Sequence, residues 1–286
     1  MSAAATLMPG PGAALSAHDF QAIADLLHRE TGIHLPEAKR AMVEGRLAKR
    51  LRHLGIAGFA DYRALIESPE GAEERSRMLA ALTTNVTRFN REPHHFEALR
   101  RDVLPPLAAQ ARKGGRVRLW SAACSSGEEP YSMALALLAV LPEARSHDVR
   151  VLATDINADM VARGRAGVYP AGALQDVPSE ERSRWFEPMG ERSWCAGPAL
   201  SGLVAFRVLN LMGDWPMTGG FDVVLCRNVV IYFDPPTQAR LWSRIAALIP
   251  PGGHLFIGHS ERLTGPAAAL FRSVGVTMYR REGGAP

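Results

Sequence analysis

Residues 116–140 read RVRLWSAACSSGEEPYSMALALLAV, and this stretch decides the fold. Residues 117–120 predict a short buried strand, and the small residues after them predict a tight loop. An apolar helix is expected over residues 131–141, with Pro130 in its first turn. A loop of Ala, Ser and Gly lets a ligand approach the backbone, and a helix start offers free N–H groups. The stretch therefore predicts a nucleotide-type binding site.

Two acidic residues, Glu128 and Glu129, stand at the predicted helix start. Carboxylates there would repel a pyrophosphate but accept a cation, which argues against a dinucleotide and for an ammonium or sulfonium ligand. The loop also lacks the G-x-G-x-x-G pattern of dinucleotide sites. Residues 149–156, VRVLATDI, predict a second strand that ends at Asp155, where an acid can hold ribose hydroxyls. Each acid alone is ordinary at a helix start or strand end, but their joint placement predicts S-adenosylmethionine (AdoMet).

The composition is typical of a globular protein with one large or two modest domains: 286 residues, 47% apolar and 22% charged. No apolar run approaches the ~20 residues of a membrane span. Residues 1–15 are interpreted as a disordered tail, since they lack the basic start and apolar core of a signal peptide. The cysteines, Cys124, Cys195 and Cys226, are few, odd in number and far apart. They indicate a reducing cytoplasm and neither a disulfide framework nor a zinc site, and no metal site is predicted.

The pattern of predicted elements divides the chain. Residues 16–90 show helical periodicity and no strand, whereas strands and helices alternate from Val117 onward, which predicts a parallel α/β sheet. We therefore expect a helical domain over 16–90 and an α/β domain over 91–286. Residues 164–202 carry scattered Gly and Pro and predict an inserted group of short strands and loops.

A basic face is predicted on the second helix, residues 37–53, formed by Lys39, Arg46, Lys49 and Arg50. Such a face is usually only solvated. The alternative is an electrostatic dock for an acidic partner or substrate helix.

Polar residues also collect between the domains and at predicted strand ends. Residues 83–96, TTNVTRFNREPHHF, are either an active-site segment or a solvated hinge. Asn210 and Asn228 follow two later strands, and each alone would be interpreted as a turn residue. Ligands of open α/β sheets lie at the carboxyl ends of the strands, so we expect both amides to converge with Asp155 there.

These motifs together resemble the chemotaxis-receptor methyltransferases of the CheR family. TTNVTRFNRE, WSAACSSGEEPYS, ATDIN, LNLM and CRNVVIYFD occur in the order and approximate spacing of that family, and the resemblance covers about residues 16–282. It implies a class I AdoMet-dependent methyltransferase (Rossmann-like) domain with an inserted small antiparallel β-subdomain, preceded by a small all-α N-terminal domain. It further implies methyl transfer from AdoMet to the γ-carboxylates of specific glutamates on chemoreceptor cytoplasmic helices, giving glutamyl methyl esters.

The resemblance also implies roles for individual residues. Catalysis is implied for Arg91 and Tyr232. The chain departs from the family pattern at Asn90, where an aromatic residue is usual, and at Cys124, where Ser is common. The implied cofactor-binding residues are Asn85, Thr87, Arg91, Glu128, Glu129, Asp155, Asn210, Leu211, Arg227 and Asn228.

The implied partners are chemoreceptor helices, which would bind to the basic face and the β-subdomain. The protein is expected to be cytoplasmic and, by default, monomeric. Neither nucleic-acid binding nor membrane insertion is expected. One alternative is a class I methyltransferase acting on RNA or a small molecule, but the basic face is one helix long and lacks interleaved aromatic residues. Another is a non-catalytic AdoMet-binding scaffold, against which Arg91 and Tyr232 are retained. Residues 234–237, DPPT, lie too late to be the [DN]-P-P-[FYW] motif of amine methyltransferases and predict a helix start.

Overall fold

The computed structural model describes residues 14–283 and divides the chain into two compact units, at Thr84 and Asn85. The predicted boundary, 90/91, lies several residues later. Residues 85–90 belong to the second unit, since the Asn85 carbonyl accepts a hydrogen bond from Ser125 Oγ at 2.9 Å. The predicted tail lies outside the described residues except for 14 and 15, and Leu15 is buried in the N-terminal unit.

Helices build the N-terminal unit, as predicted. Ser16 caps the first of them, since its Oγ accepts the Asp19 N–H at 3.0 Å. One apolar face of the second helix is buried at Val43, Leu47 and Leu51, whereas Leu54 is exposed. The helices are α1 (Ala17–Thr31), α2 (Arg40–Leu54, preceded by a 3-10 turn, Glu37–Lys39), α3 (Phe59–Glu67) and α4 (Ala72–Leu82).

A seven-stranded sheet organises the second unit, in the order β6-β2-β1-β7-β8-β10-β9. The first five strands in that order are parallel, and β10 runs antiparallel to both β8 and β9. The carboxyl ends of β6, β2, β1 and β7 therefore lie side by side, as the sequence predicts. The strands of this sheet are β1 (Val117–Ala122), β2 (Val149–Asp155), β6 (Val204–Val208), β7 (Val223–Cys226), β8 (His254–Ile257), β9 (Phe271–Gly275) and β10 (Met278–Arg281).

A smaller antiparallel sheet, in the order β3-β5-β4, lies within the predicted insertion. Its Tyr169 joins it to the main fold: the hydroxyl donates to the Ser126 carbonyl at 2.8 Å, and the ring meets Phe89 edge-on at 5.0 Å. The β-subdomain that the resemblance implies is thus confirmed. Its strands are β3 (Val168–Pro170), β4 (Phe186–Met189) and β5 (Ser193–Ala196), with α9 (Ser179–Trp185) and α10 (Pro198–Ser201) beside them in sequence.

The central helix of the second unit is α7, whose residues 130–138 are all buried. It begins at Glu128, so both acids and Pro130 lie in its first turn, as the sequence predicts, although the predicted apolar stretch starts only at residue 131. The other helices of this unit are α5 (Pro93–Ala98), α6 (Leu104–Arg112), α8 (Ala158–Ala166) and α11 (Pro235–Leu248), with a π-helical turn at Leu99–Val103. Among the described residues, no helix is both long and apolar enough to cross a bilayer.

Candidate active site

The loop between β1 and α7 has an unusual backbone. Ala123, Ser125 and Gly127 have φ angles of 61°, 49° and 99°, a region that costs a residue with a side chain roughly 1–2 kcal/mol. At Gly127 a Cβ atom would also lie 2.8 Å from Gly164 Cα and 2.8 Å from the Tyr169 hydroxyl. Strain of this kind collects at ligand sites, and here it turns the loop over the end of the sheet.

Asp155 anchors this loop from the end of β2. Its Oδ2 accepts the Ser125 N–H at 2.8 Å, and its Oδ1 accepts the Asn157 N–H at 2.9 Å. Burial raises the pKa of Asp155, and these backbone donors offset part of that shift. A carboxylate can accept about four hydrogen bonds, so Asp155 keeps lone pairs for the hydroxyls of a ribose.

The two acids at the start of α7 have different surroundings. Glu128 is 8% exposed and accepts a hydrogen bond from Ser126 Oγ at 2.7 Å. Burial raises the pKa of Glu128, so a cation beside it would stabilise the ionised form. Glu129 instead accepts Ser121 Oγ at 2.7 Å and Arg227 Nη1 at 3.0 Å. Burial also raises the pKa of Glu129, and Arg227 opposes that shift.

Arg227, at the end of β7, holds the segment that carries Arg91. Its side chain is 1% exposed and lies between Glu129 and Glu92, whose Oε2 is 3.3 Å from Arg227 Nη2. The same nitrogen donates to the Arg91 carbonyl. The buried guanidinium therefore fixes the Arg91 backbone, whereas the half-buried Arg91 side chain donates to the Val86 carbonyl at 3.0 Å.

Asn90, which departs from the family pattern, occupies a position that suits an amide. Its φ angle is 49°, and Asn adopts this left-handed region more readily than most residues. Its backbone N–H donates to Ser132 Oγ at 2.9 Å, and its Nδ2 donates to the Asp176 carbonyl, in the insertion, at 2.7 Å. Asn90 thus ties the segment to α7 and to the insertion, and the neighbouring Phe89 packs edge-on against Tyr169 and Phe186.

Glu261, which sequence reasoning missed, organises the end of β7. Its buried carboxylate accepts four backbone N–H groups: Oε2 from Gly258 at 2.6 Å and Asn228 at 3.0 Å, and Oε1 from Val229 at 2.9 Å and Val230 at 2.8 Å. Burial raises the pKa of Glu261, and the four donors offset part of that shift. The carboxylate holds Asn228, whose φ is 58°, in place. The sequence signal that could have indicated this role is an acidic residue soon after β8, at the carboxyl edge of the sheet where ligands bind.

The remaining predicted residues lie at the ends of β6 and β7. Asn210 Oδ1 accepts the Met212 N–H at 2.9 Å, and Leu211 is buried. Arg244 Nη1 from α11 donates to the Leu211 carbonyl at 2.7 Å, which fixes this turn. Tyr232 is half-buried in a 3-10 turn, Val230–Tyr232, and Thr87 is half-buried in the loop before Arg91.

The start of α11 confirms the interpretation of residues 234–237. Asp234 is the N-cap, with Oδ1 accepting the Thr237 N–H at 2.8 Å. The DPPT sequence is therefore a helix start.

The basic face of α2 is partly used within the N-terminal unit. Arg46 Nη1 donates to the carbonyls of Leu82 and Thr83 at 2.9 Å and 2.8 Å, at the end of α4. Arg50 Nε donates to Glu74 Oε1 at 3.0 Å, and Glu74 also accepts the Tyr62 hydroxyl at 2.8 Å. Lys39 and Lys49 are exposed, and so is Arg52 on the same helix. Two of the four cations of the predicted docking face, Arg46 and Arg50, therefore make contacts that stabilise the N-terminal unit.

The site residues fit a ligand with a positive charge and ribose hydroxyls. A buried carboxylate at Glu128 can receive the cation, Asp155 can receive the hydroxyls, and the loop over 123–127 exposes its backbone. AdoMet carries these groups on one molecule.

Comparison with known proteins identifies the family. Residues 85–280 match the CheR methyltransferase, SAM binding domain, and residues 18–83 match the CheR methyltransferase, all-alpha domain. The chain is 50% identical to a "Probable chemotaxis protein methyltransferase" of Rhizobium etli over 89% of this chain and 96% of the relative. It is 42% identical to "Chemotaxis protein methyltransferase 2" of Pseudomonas aeruginosa (91% and 92% covered) and 39% identical to "Chemotaxis protein methyltransferase" of Escherichia coli (88% and 86% covered). With both of its units matched in order, this chain belongs to the CheR methyltransferase family and is an AdoMet-dependent methyltransferase.

Proposed function

We propose that this methyltransferase modifies the γ-carboxylates of specific glutamates on the cytoplasmic helices of chemoreceptors, and that it does so in the cytoplasm during chemotactic adaptation. The observation that carries the proposal is the match along nearly the whole chain to relatives described as chemotaxis protein methyltransferases. The product would be a glutamyl methyl ester.

The chemistry of a carboxylate substrate suits the residues of the site. A glutamate side chain has an ordinary pKa of about 4.3, so it is ionised at neutral pH and needs no general base. AdoMet supplies an electrophilic methyl group on a positively charged sulfur. The protein has then to hold the carboxylate oxygen in line with that methyl group, which is a positioning task.

Arg91 is the residue proposed to position the substrate carboxylate, together with the Tyr232 hydroxyl. A guanidinium is planar and can donate hydrogen bonds to both oxygens of a carboxylate, and such bidentate binding would make the carboxylate less nucleophilic. We therefore propose that Arg91 steers one oxygen and leaves the other free. Arg91→Lys keeps the charge and loses the planar geometry, so its rate of methyl transfer should fall well below that of the wild type. Activity near the wild-type value would contradict this role.

The proposed cofactor contacts divide among the strand ends. Glu128 would receive the cationic methionine part, Asp155 the ribose, and Asn210 with Leu211 the adenosine, while Asn228 and residues 85–91 close the site. Ser125 supports this arrangement, because it bonds to both Asp155 and Asn85 and so links the loop to the 85–91 segment.

We propose that receptor docking uses three exposed cations, Lys39 in the turn before α2 and Lys49 and Arg52 on α2, together with the β-subdomain. Charge attraction would bring an acidic receptor helix to this face. Lys39→Glu combined with Lys49→Glu should raise the KM for receptor and leave the affinity for AdoMet unchanged. An unchanged KM would remove α2 from the docking surface.

The first experiment is transfer of labelled methyl from AdoMet to membranes that contain chemoreceptors, followed by mild alkali. We expect alkali-labile label on the receptor band, because carboxyl methyl esters hydrolyse in base. Arg91→Ala should abolish the label. Arg272→Ala, which removes an exposed arginine paired with Glu282 on the far hairpin, is the matched control and should retain it.

The same assay separates the alternatives. Alkali-stable label on RNA or on a small molecule would establish a class I methyltransferase that acts on that substrate and not on receptors. Cofactor binding with no transfer to any of these substrates would establish the scaffold.

A further inference from the structure

Three potential metal ligands meet directly after Arg91. Glu92, His94 and His95 each offer one ligand atom, and these three atoms all lie within 4.8 Å of one another. Glu92 Oε2, His94 Nε2 and His95 Nδ1 are buried and have no hydrogen-bond partner among the described residues. His95 is 0% exposed. Buried polar atoms are normally satisfied, so three such atoms that face one another call for a physical explanation.

The tautomer of His95 follows from its neighbours. Thr277 Oγ1 donates to the Val276 carbonyl at 2.7 Å, and His95 Nε2 lies 2.8 Å from the same Oγ1. Because the hydroxyl proton is already used, His95 Nε2 carries the proton and donates it to Thr277. The other ring nitrogen, Nδ1, then presents a lone pair towards Glu92 Oε2, 3.6 Å away. Two electron-rich atoms thus face each other with no proton between them.

The charge around the cluster leaves room for a cation. Arg227 lies 3.3 Å from Glu92 Oε2, but it also pairs with Glu129 at 3.0 Å. Two carboxylates therefore share one guanidinium, and a net negative charge remains. The second oxygen of Glu92, Oε1, is 3.0 Å from His259 Nδ1 and accepts Asn228 Nδ2 at 3.4 Å, so these contacts hold the carboxylate in orientation.

We propose that Glu92, His94 and His95 form a binding site for one divalent transition-metal ion of the zinc type. Two imidazole nitrogens and one carboxylate oxygen are a donor set that suits Zn²⁺. Ligand atoms of a tetrahedral zinc site lie ~3.4 Å apart, given bonds of ~2.0–2.1 Å, and the Glu92–His95 pair nearly meets this spacing. The separations that involve His94 are at most 4.8 Å, and we expect metal binding to turn the half-buried His94 ring towards the other two ligands.

The surroundings complete such a site. A cavity of about 310 Å³ adjoins the cluster on the side of His94 and leaves space for a water as fourth ligand; it is lined by His94, Glu97, Ala98, Arg101, Val276 and Met278. The bond from His95 Nε2 to Thr277 is the outer contact that orients a metal-bound imidazole. A bound ion would fix Glu92 and, through it, the adjoining Arg91. The sequence predicts no metal site, since that prediction considers only the cysteines.

The test measures metal binding and does not depend on methyl transfer or on its substrate. Untagged, chelator-treated protein is titrated with ZnCl₂ by calorimetry, and Co²⁺ is added separately as a spectroscopic probe. We expect one Zn²⁺ per chain with a Kd in the micromolar range or tighter. The Co²⁺ protein should show the intense visible bands of a four-coordinate ion without thiolate charge-transfer bands.

Matched variants locate the site. His94→Ala removes a ligand at the rim of the cavity and should weaken Zn²⁺ binding at least about 100-fold, while Thr277→Val, which loses only the outer hydroxyl, should weaken it about 10-fold. His147→Ala removes a histidine elsewhere, 4.0 Å from Glu143, and should leave binding unchanged. Millimolar binding by the wild type, thiolate bands with Co²⁺, or full affinity in a folded His94→Ala protein would each overturn the proposal.

Discussion

Replacing Glu261 by Gln should selectively destabilise the second unit. The four backbone donors approach both carboxylate oxygens, so no room remains for a carboxyl proton, and the side chain is required as an anion. Gln keeps one oxygen for two of the N–H groups. Its NH₂ group then faces the other two donors, which become buried and unsatisfied.

The magnitude follows from those two lost hydrogen bonds. An unsatisfied buried N–H costs ~1–3 kcal/mol, and relaxation of the loop reduces the sum, so we expect a loss of about 3 kcal/mol. For a domain the size of this unit, each kcal/mol lowers the Tm by ~2–4 °C, which gives a decrease of about 6–12 °C. Because the affected loop carries Asn228, affinity for AdoMet should fall as well.

Tryptophan fluorescence is the suitable assay, because all five tryptophans, at 120, 185, 194, 215 and 242, lie in the second unit. Thermal unfolding followed at this signal reports that unit alone, which matters since a chain of two units need not unfold in one step. Glu282→Gln is the control, because that carboxylate is 59% exposed and paired on the surface with Arg272. A Tm for Glu261→Gln within 1–2 °C of the control, where ~1 °C is the scale of a surface change, would refute the reasoning.

Three further perturbations test other parts of the structure. Gly127→Ala places a Cβ atom at a φ of 99° and 2.8 Å from its neighbours, so the free energy of unfolding, followed by fluorescence, should fall by about 3 kcal/mol. The control Gly114→Ala, at a φ of 84° with open space around it, should lower it by about 1 kcal/mol. Equal losses in the two variants would exclude the steric cause. Burial acts to raise the pKa of Glu74, but hydrogen bonds from Arg50 and Tyr62 outweigh burial and lower that pKa overall. The stability that Glu74 contributes is therefore present above the unfolded-state pKa of ~4.3 and is lost as pH falls below it. Far-UV circular dichroism of Glu74→Gln should therefore show a smaller loss of N-terminal helix stability on acidification than the wild type, whereas exposed Glu73→Gln should behave like the wild type. Arg227→Lys loses the planar fork that spans two carboxylates and should cost about 2 kcal/mol, and an unchanged fluorescence transition would contradict it.

The sequence predicts those parts of the fold that depend on local pattern. The strand at 117–120 and the strand ending at Asp155 are confirmed because apolar runs act over short distances. Strand β9, with the sequence FRSVG, was not predicted, since four of its five residues are exposed and show no alternation. The apolar run of α7 begins only after Pro130, so the acids before it, and not the run itself, indicate that the helix starts at Glu128.

Local sequence pattern does not predict contacts between residues that are far apart in the chain. Arg227 and Glu129 are 98 positions apart, and Glu261 meets Asn228 across 33. Arg50 and Glu74 pair between helices in a face that looked free on the sequence. In each case the charge was visible, but its partner depends on which strand or helix packs beside it.

The same contacts distinguish the acids at the carboxyl edge of the sheet. Glu129 is paired with an arginine and Glu261 with four backbone N–H groups, so both carboxylates already have stabilising partners within the chain. Asp155 holds two backbone donors and retains lone pairs. Glu128 is as buried as these, yet its described side-chain hydrogen bond comes from a serine hydroxyl, which carries no charge. A buried carboxylate is stable as an anion only beside a positive charge or several donors. We therefore infer that Glu128 receives the cationic part of AdoMet, whereas Glu129 acts on the reaction through Arg227 and the backbone of Arg91.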